Sequence, residues 1–145
     1  MISSFKIEPW TGFSNFARLQ KPISKDGIQF WSVENAYMAA KTHDIGAKMR
    51  IAQMSPGQAK KFGRELQLRP DWEEVKVEIM RELLREKFSQ PLFKVLLLSS
   101  GDEELVEGNW WHDQFWGNCE CDKHKHIPGQ NTLGKLLMEI REEIR

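Results

Sequence analysis

Cysteine is nearly missing from this sequence: Cys119 and Cys121 are the only two. One residue apart, they would close almost no loop, which excludes a disulfide framework. No apolar stretch reaches membrane length. The longest aliphatic run is Val95–Leu98, against the roughly 20 residues a spanning helix needs. The opening segment MISSFKIEPW has no apolar stretch followed by a small-residue cleavage site, so no secretory signal is expected. Neither charge is in excess, with 21 basic and 21 acidic residues. That removes the broad positive field on which sequence-independent nucleic-acid binding relies. There is no repeat, no linker rich in glycine and serine, and no low-complexity segment. A cytoplasmic protein with no membrane partner is the expectation, and nothing in the sequence specifies an oligomer.

The 145 residues, 40% hydrophobic and 29% charged, suit one globular domain spanning 1–145. The first thirty read as short strands and turns: SSFKI, GFSNFARL, then a KDG turn into IQFW. Ser32 opens a helix. SPGQAKKFGREL opens another, with Ser55 as cap, Pro56 at the first helical position and Gln58 completing a capping box. In RPDWEEVKVEIMRELLREKF, Asp71 is the expected cap, Glu74 the box partner, and Val75, Ile79, Met80, Leu83 and Leu84 the apolar stripe. PLFKVLLLSS reads as a shorter buried helix and ELVEG as a strand. The last helix starts near Asn131 or Thr132, with Leu133, Leu136, Leu137, Ile140 and Ile144 on one side. Strands do not alternate with helices, so a doubly wound sheet is not expected. The expected class is α+β, mostly helical: a single domain of about six helices with a few short antiparallel strands.

Tryptophan is the surplus: there are six, beside a single Tyr. Trp110, Trp111 and Trp116 crowd the polar stretch EGNWWHDQFWGN. Tryptophan is large enough to build a core, so packing accounts for any one of them. Three beside Asn109, His112 and Asp113 call for more.

The stretch FWSVENAYMAAK, residues 30–41, places Glu34, Tyr37, Met38 and Lys41 on one helix face. A carboxylate in a first helical turn is favoured by the helix dipole and ordinarily stays in water. Its alternative reading rests on the Tyr and Lys that share its face, because an aromatic face rarely points wholly to solvent. Lys41 is either a surface ion-pair partner, a phosphate clamp, or a desolvated amine able to form an imine. The clamp is preferred over the nucleophile.

Other candidates carry two readings each. Trp72 either staples its helix to the core or offers a flat face to a heterocycle. Gly63 serves close packing or the helix end, and Arg64 beside it reads first as a surface cation. GQNTLGK, residues 129–135, surrounds a helix start whose free N–H groups suit an anion, or else leads into a tight helix contact at Gly134. CECDKHKH, residues 119–126, offers Cys119, Cys121, His124 and His126, which are good zinc ligand types at a spacing tighter than common sites. A polar surface loop is the reading taken there, with no metal and no cofactor expected. The four histidines fall in no recognised nucleophile motif.

Taken in order, GFSNF (12–16), WSVENAYMAAK (31–41), SPGQAKKFGR (55–64), RPDWEEVKVEIM (69–80), KF (87–88), LVEG (105–108), DQFWG (113–117) and GQNTLGKLLMEIR (129–141) resemble the NADAR, or YbiA-like, family across nearly the whole chain. "FSNF" is followed by "ARLQ" rather than the Tyr-Pro type continuation common in that family. The resemblance implies a metal-independent hydrolase of N-glycosidic bonds to ribose. Its substrate would be a small phosphoribosyl or ADP-ribosyl compound, such as an early aminopyrimidine intermediate of riboflavin synthesis. Removal of ADP-ribose from guanine in nucleic acid is one alternative, and a pocket that holds ADP-ribose or NAD without cleaving it is the other. Glu34 and Asp113 match motif positions and would be catalytic, with Glu34 beneath the sugar and Asp113 activating water. Trp72 and Trp116 would support the base, with Tyr37 on the shared face. Lys41, Arg64 and the Asn131 helix start would hold phosphate, and Asn15 and Phe16 would orient the ribose or line the cleft.

Overall fold

The structure, a computed structural model, describes residues 1–145 and groups them into two compact units, Asn15–Gln90 and Met1–Ser14 with Pro91–Arg145. The expected α+β, mostly helical class holds, with six α-helices and two pairs of short strands.

In Asn15–Gln90, strands β1 (Ile23–Lys25) and β2 (Ile28–Phe30) pair antiparallel, with Ile23 opposite Phe30. The KDG signal becomes a two-residue turn: Asp26 and Gly27 both take positive φ, 54° and 75°, as this tight hairpin connection requires. Helix α1 (Val33–Ala40) follows at once. Ser32 caps it, its Oγ accepting the Asn35 N–H at 3.0 Å. Helix α2 (Ile45–Ala52), capped by Asp44, has no counterpart among the expected elements. Its apolar stripe, IGAKMRIA, is too short and mixed to stand out. Helix α3 (Pro56–Glu65) forms the expected capping box of Ser55 and Gln58, with Pro56 in the first turn.

Helix α4 (Trp72–Ser89) begins where expected, but Asp71 makes no side-chain cap. Arg69 takes its carboxylate instead: Nε donates to Oδ1 at 2.6 Å and Nη2 to Oδ2 at 2.9 Å. A two-pronged guanidinium pair outcompetes a single amide bond for the same acceptor.

Helices α2, α3 and α4 and the hairpin all pack on α1, and seven of its eight residues are buried. A Cβ on Gly63 would lie 2.2 Å from Met38 Sδ, so that glycine serves the close approach of α3 to α1. Asn35 joins α1 to the end of α2, its Nδ2 donating to the carbonyls of Ile51 at 2.8 Å and Met54 at 2.9 Å.

In the other unit, the N-terminal segments expected as strands are turns and a 3-10 helix, Trp10–Phe13. Aromatic packing decides this: Phe13 stacks with Trp10 and meets Phe5 edge-on, centroids 5.5 and 5.4 Å apart. The 3-10 helix packs on α5 (Pro91–Ser99), and α5 on α6 (Thr132–Ile144). Helix α5 buries Phe93 and Leu97, while Leu92 and Val95 face outward. The ELVEG strand shrinks to one bridge, Leu105 with Ile2. Strands β3 (Gly108–Asn109) and β4 (Asn118–Cys119) pair parallel rather than antiparallel. On α6, Leu133, Leu136, Leu137 and Ile140 are buried as the spacing predicts. A Cβ on Gly134 would lie 2.1 Å from the Leu105 carbonyl oxygen, so this glycine admits a backbone segment rather than a second helix. No helix is long and apolar enough to cross a membrane.

Lys87, on the buried side of α4, is fully enclosed, its Nζ 5.1 Å from the Phe88 ring. Burial pushes its pKa down to about 7, because a low-dielectric interior disfavours the ammonium. Between that value and the ordinary ammonium range the unfolded chain binds more protons, so stability should rise with pH there. The contribution of Lys87 should reach about 1.4 kcal/mol per pH unit. Urea unfolding of Lys87→Met should lack this increment relative to wild type, whereas equal pH slopes would show an ordinary lysine.

Candidate active site on helix α1

Glu34 sits in the first turn of α1 and is 7% exposed. The solvated-face reading is therefore wrong for this residue. Its backbone N–H donates to the Asn15 carbonyl at 3.0 Å, tying the GFSNF segment to the start of α1. One turn on, Tyr37 meets Trp72 of α4, with ring centroids 5.1 Å apart and planes tilted by 53°. Both rings are buried. They form a floor, and Lys41 Nζ stands 5.9 Å from the Tyr37 centroid and 6.0 Å from that of Trp72. The backbone holds this arrangement, since the Arg69 N–H donates to the Lys41 carbonyl at 2.8 Å. That bond brings the chain entering α4 against the C-terminus of α1. Both readings of Trp72 meet here: it packs the helix start to the core, and it supplies the aromatic wall.

Lys41 is half-buried, at the end of α1 where the helix dipole favours a cation. Its pKa lies below the ordinary lysine value. Burial is the main cause. The Glu34 carboxylate pulls the other way, and Arg64, Lys76 and Lys60 each add repulsion. Three further cations and one carboxylate thus act on Lys41 where it stands over the Tyr37–Trp72 pair. Lys60 and Lys76 are absent from the sequence-based candidates, although a signal existed: Lys60 lies one turn before Arg64, and Lys76 one turn after Trp72. Lys76 also pairs with Glu73 at 2.6 Å. Lys60 Nζ stands 5.8 Å from the ring of Phe16, which is 43% exposed.

Asn15 donates its Nδ2 weakly to Met80 Sδ at 3.7 Å. Its Oδ1 is buried with no hydrogen-bond partner, a state that costs free energy until a donor arrives. The residues so far, Asn15, Phe16, Glu34, Tyr37, Lys41, Arg64 and Trp72, belong to one unit. A separate cleft lined by Ala36, Ala39, Ala40, Lys48, Arg69 and Glu82 takes the opposite side of α1.

Asp113, Trp116 and Asn131 belong to the other unit. Asp113 Oδ1 accepts the N–H groups of Phe115 at 3.1 Å and Trp116 at 2.9 Å, fixing the turn of DQFWG. Trp116 meets Phe115 edge-on at 4.9 Å. Asn131 adopts φ 51° and pins the start of α6. Its Oδ1 accepts the Glu107 N–H and its Nδ2 donates to the Leu105 carbonyl, both at 2.9 Å. The N–H groups of Thr132 and Leu133 donate to the carbonyls of Phe115 and Trp116. These two donors of the expected anion site are therefore already in use.

The NADAR domain family matches residues 4–145. The chain belongs to the NADAR family. Among NADAR relatives, the N-glycosidase Npun_R5314 of Nostoc punctiforme is 40% identical over 159 residues, covering 99% of this chain and 92% of that protein. The N-glycosidase YbiA of Escherichia coli is 38% identical over 136 residues, covering 91% and 80%. Its NMR structure superimposes with a TM-score of 0.79 at 36% identity, covering 99% of this chain and 84% of that one. The riboflavin biosynthesis protein VVA0006 of Vibrio vulnificus is 38% identical over 128 residues, which are 85% of this chain and 33% of that longer protein.

The lowered Lys41 pKa has a measurable consequence. Sulfate does not titrate in the alkaline range, so its affinity for the cluster should fall with pH before an ordinary lysine would deprotonate. Lys41→Arg keeps its charge throughout and should move that fall upward in calorimetric titrations. An unmoved limb would show that Lys41 takes no part in sulfate binding.

Proposed function

We propose that the chain is an N-glycosidase that hydrolyses the bond between a phosphorylated ribose and a nucleobase or aminopyrimidine, with Glu34 as the catalytic carboxylate. One observation carries this reading: a buried carboxylate shares a helix face with a cation-topped aromatic pair. The hydrolase class is the one its relatives' names carry, and the riboflavin name of the Vibrio relative supports an aminopyrimidine among the bases.

Cleavage of a ribosyl C–N bond builds positive charge on the sugar as the base departs. A carboxylate already removed from bulk water interacts with that charge more strongly than a solvated one. In this proposal the C–N electron pair leaves with the base. Glu34 stabilises the ribosyl cation and takes a proton from the water that bonds to the anomeric carbon, and that proton passes on to the departing base. The cations Lys41, Lys60, Arg64 and Lys76 receive the phosphate, as clustered Lys and Arg do. Asn15 Oδ1, a buried acceptor in need of a donor, suits a ribose hydroxyl. The Tyr37–Trp72 pair backs the heterocycle, and Phe16 lines the rim. Asp113 belongs to the other unit, where its Oδ1 already holds two backbone amides, so the step is assigned to Glu34 alone.

Glu34→Gln should lower kcat on a phosphoribosyl aminopyrimidine by about 10²–10⁴-fold with an unchanged circular dichroism spectrum. Asp113→Asn keeps the turn-forming oxygen and should retain more turnover. Full activity in Glu34→Gln would sink the assignment. Free base from an ADP-ribosylated guanosine, and none from the pyrimidine substrate, would move the substrate to the nucleic-acid alternative. Saturable ADP-ribose binding without turnover of either would make the site a binding module.

A further inference from the structure

The segment between β3 and α6 gathers four metal-ligating atoms that the proposed hydrolysis does not use. His112 Nδ1 lies 3.3 Å from His124 Nδ1. Cys121 Sγ lies 3.3 Å from the first of these nitrogens and 3.1 Å from the second. Cys119 Sγ is 3.9 Å from His112 Nδ1. All four atoms fall within 4.8 Å of one another. Hydrogen bonding alone accounts poorly for this convergence. A neutral imidazole carries one proton, and a thiol is a weak donor. A cation at the centre satisfies all four atoms at once.

We infer that His112, Cys119, Cys121 and His124 bind one zinc ion in a closed, four-coordinate site. Zinc–nitrogen bonds of about 2.0–2.1 Å and zinc–sulfur bonds of about 2.3 Å, arranged tetrahedrally, set neighbouring ligand atoms about 3.3–3.8 Å apart. Four of the six separations, 3.1, 3.3, 3.3 and 3.9 Å, lie at or near that interval, and the other two do not exceed 4.8 Å. The ligand types, two sulfurs and two imidazole nitrogens, are those of structural zinc.

The surrounding chain holds the ligands in place. Cys119 is buried in β4, opposite Asn109 of β3, and its N–H donates to Gln114 Oε1 at 2.7 Å. The Cys121 N–H points to Cys119 Sγ at 3.5 Å, a contact that favours a thiolate. The Cys121 carbonyl accepts from the N–H groups of His124 and Lys125 at 3.0 and 2.8 Å, a turn that brings both ligands to one side. His112 sits at φ 71°, a left-handed conformation uncommon for residues with a Cβ though less so for histidine. The ligand run is therefore His112-x6-Cys119-x-Cys121-x2-His124. His112 takes the place that the sequence suggested for His126, which relaxes the tight spacing of the 119–126 run. With all four positions filled by protein atoms, none is open to water or substrate, so the metal is structural. It pins the segment whose carbonyls, on Phe115 and Trp116, receive the first N–H groups of α6.

Untagged protein, purified under reducing conditions without chelator, should carry about one equivalent of zinc by elemental mass spectrometry. Cobalt exchanged into the site should show intense tetrahedral ligand-field bands and a thiolate-to-cobalt charge-transfer band. Cys121→Ser and His112→Ala alter half-buried and exposed side chains, so they should lose the metal while circular dichroism shows the helices retained. His126→Ala should keep it. Absence of both stoichiometric zinc and the cobalt spectrum in the wild-type chain overturns the site. Loss of metal in His126→Ala but not in His112→Ala overturns this ligand set.

Discussion

Enclosure of one short helix is the constraint on which the unit Asn15–Gln90 depends. A helix of eight residues is not stable alone, so α1 exists because α2, α3, α4 and the hairpin cover it. That cover leaves no neutral position for a polar side chain, because buried polar groups must find partners. The consecutive residues Glu34 and Asn35 resolve the demand in different ways. Asn35 turns to two carbonyls at the end of α2 and becomes scaffold. Glu34 falls on the face of Tyr37 and Lys41, where cations from α1, α3 and α4 act on the same group of charges.

The cluster around Lys41 is electrostatically unbalanced. Arg64, Lys60 and Lys76 repel Lys41, and Glu34 opposes them. An anion relieves that repulsion, so on the proposed reading the phosphate adds an attraction that the cations do not offer one another. Binding energy gained at the phosphate, away from the reacting bond, is available to orient the sugar over Glu34.

Local signals were legible where the chain decides its conformation within a few residues. The Ser55–Gln58 capping box, the Asp26–Gly27 turn and the Ser32 cap each satisfy orphan or bent backbone through an immediate neighbour, and the pattern shows it. Asp71 fails as a cap because Arg69, two residues back, takes its carboxylate. The segments SSFKI and GFSNFARL have strand-like composition, yet Phe5, Trp10 and Phe13 pack on one another and leave no edge to pair. At the candidate site, periodicity joined Glu34, Tyr37 and Lys41, which lie on one helix. It could not reveal that Trp72, Lys60 and Lys76 come to the same place, since α3 and α4 are brought there by tertiary packing. Trp72 on its own left packing and a heterocycle face both open, and the ordered family motifs favoured the second. His112 escaped notice for the same reason: it precedes its fellow ligands, and pairing of β3 with β4 closes the gap.

The second unit is assembled from both ends of the chain. Ile2 donates to the Glu104 carbonyl and receives the N–H of Val106, while everything from Asn15 to Gln90 lies between them in sequence. During synthesis, the residues that surround α1 all emerge before the partner of Ile2 exists. The unit carrying Glu34 can therefore gather from contacts of modest sequence separation, whereas the other must wait for a long loop to close. An interrupted or truncated translation product would retain the carboxylate and its cations while its first fourteen residues had nothing to fold against.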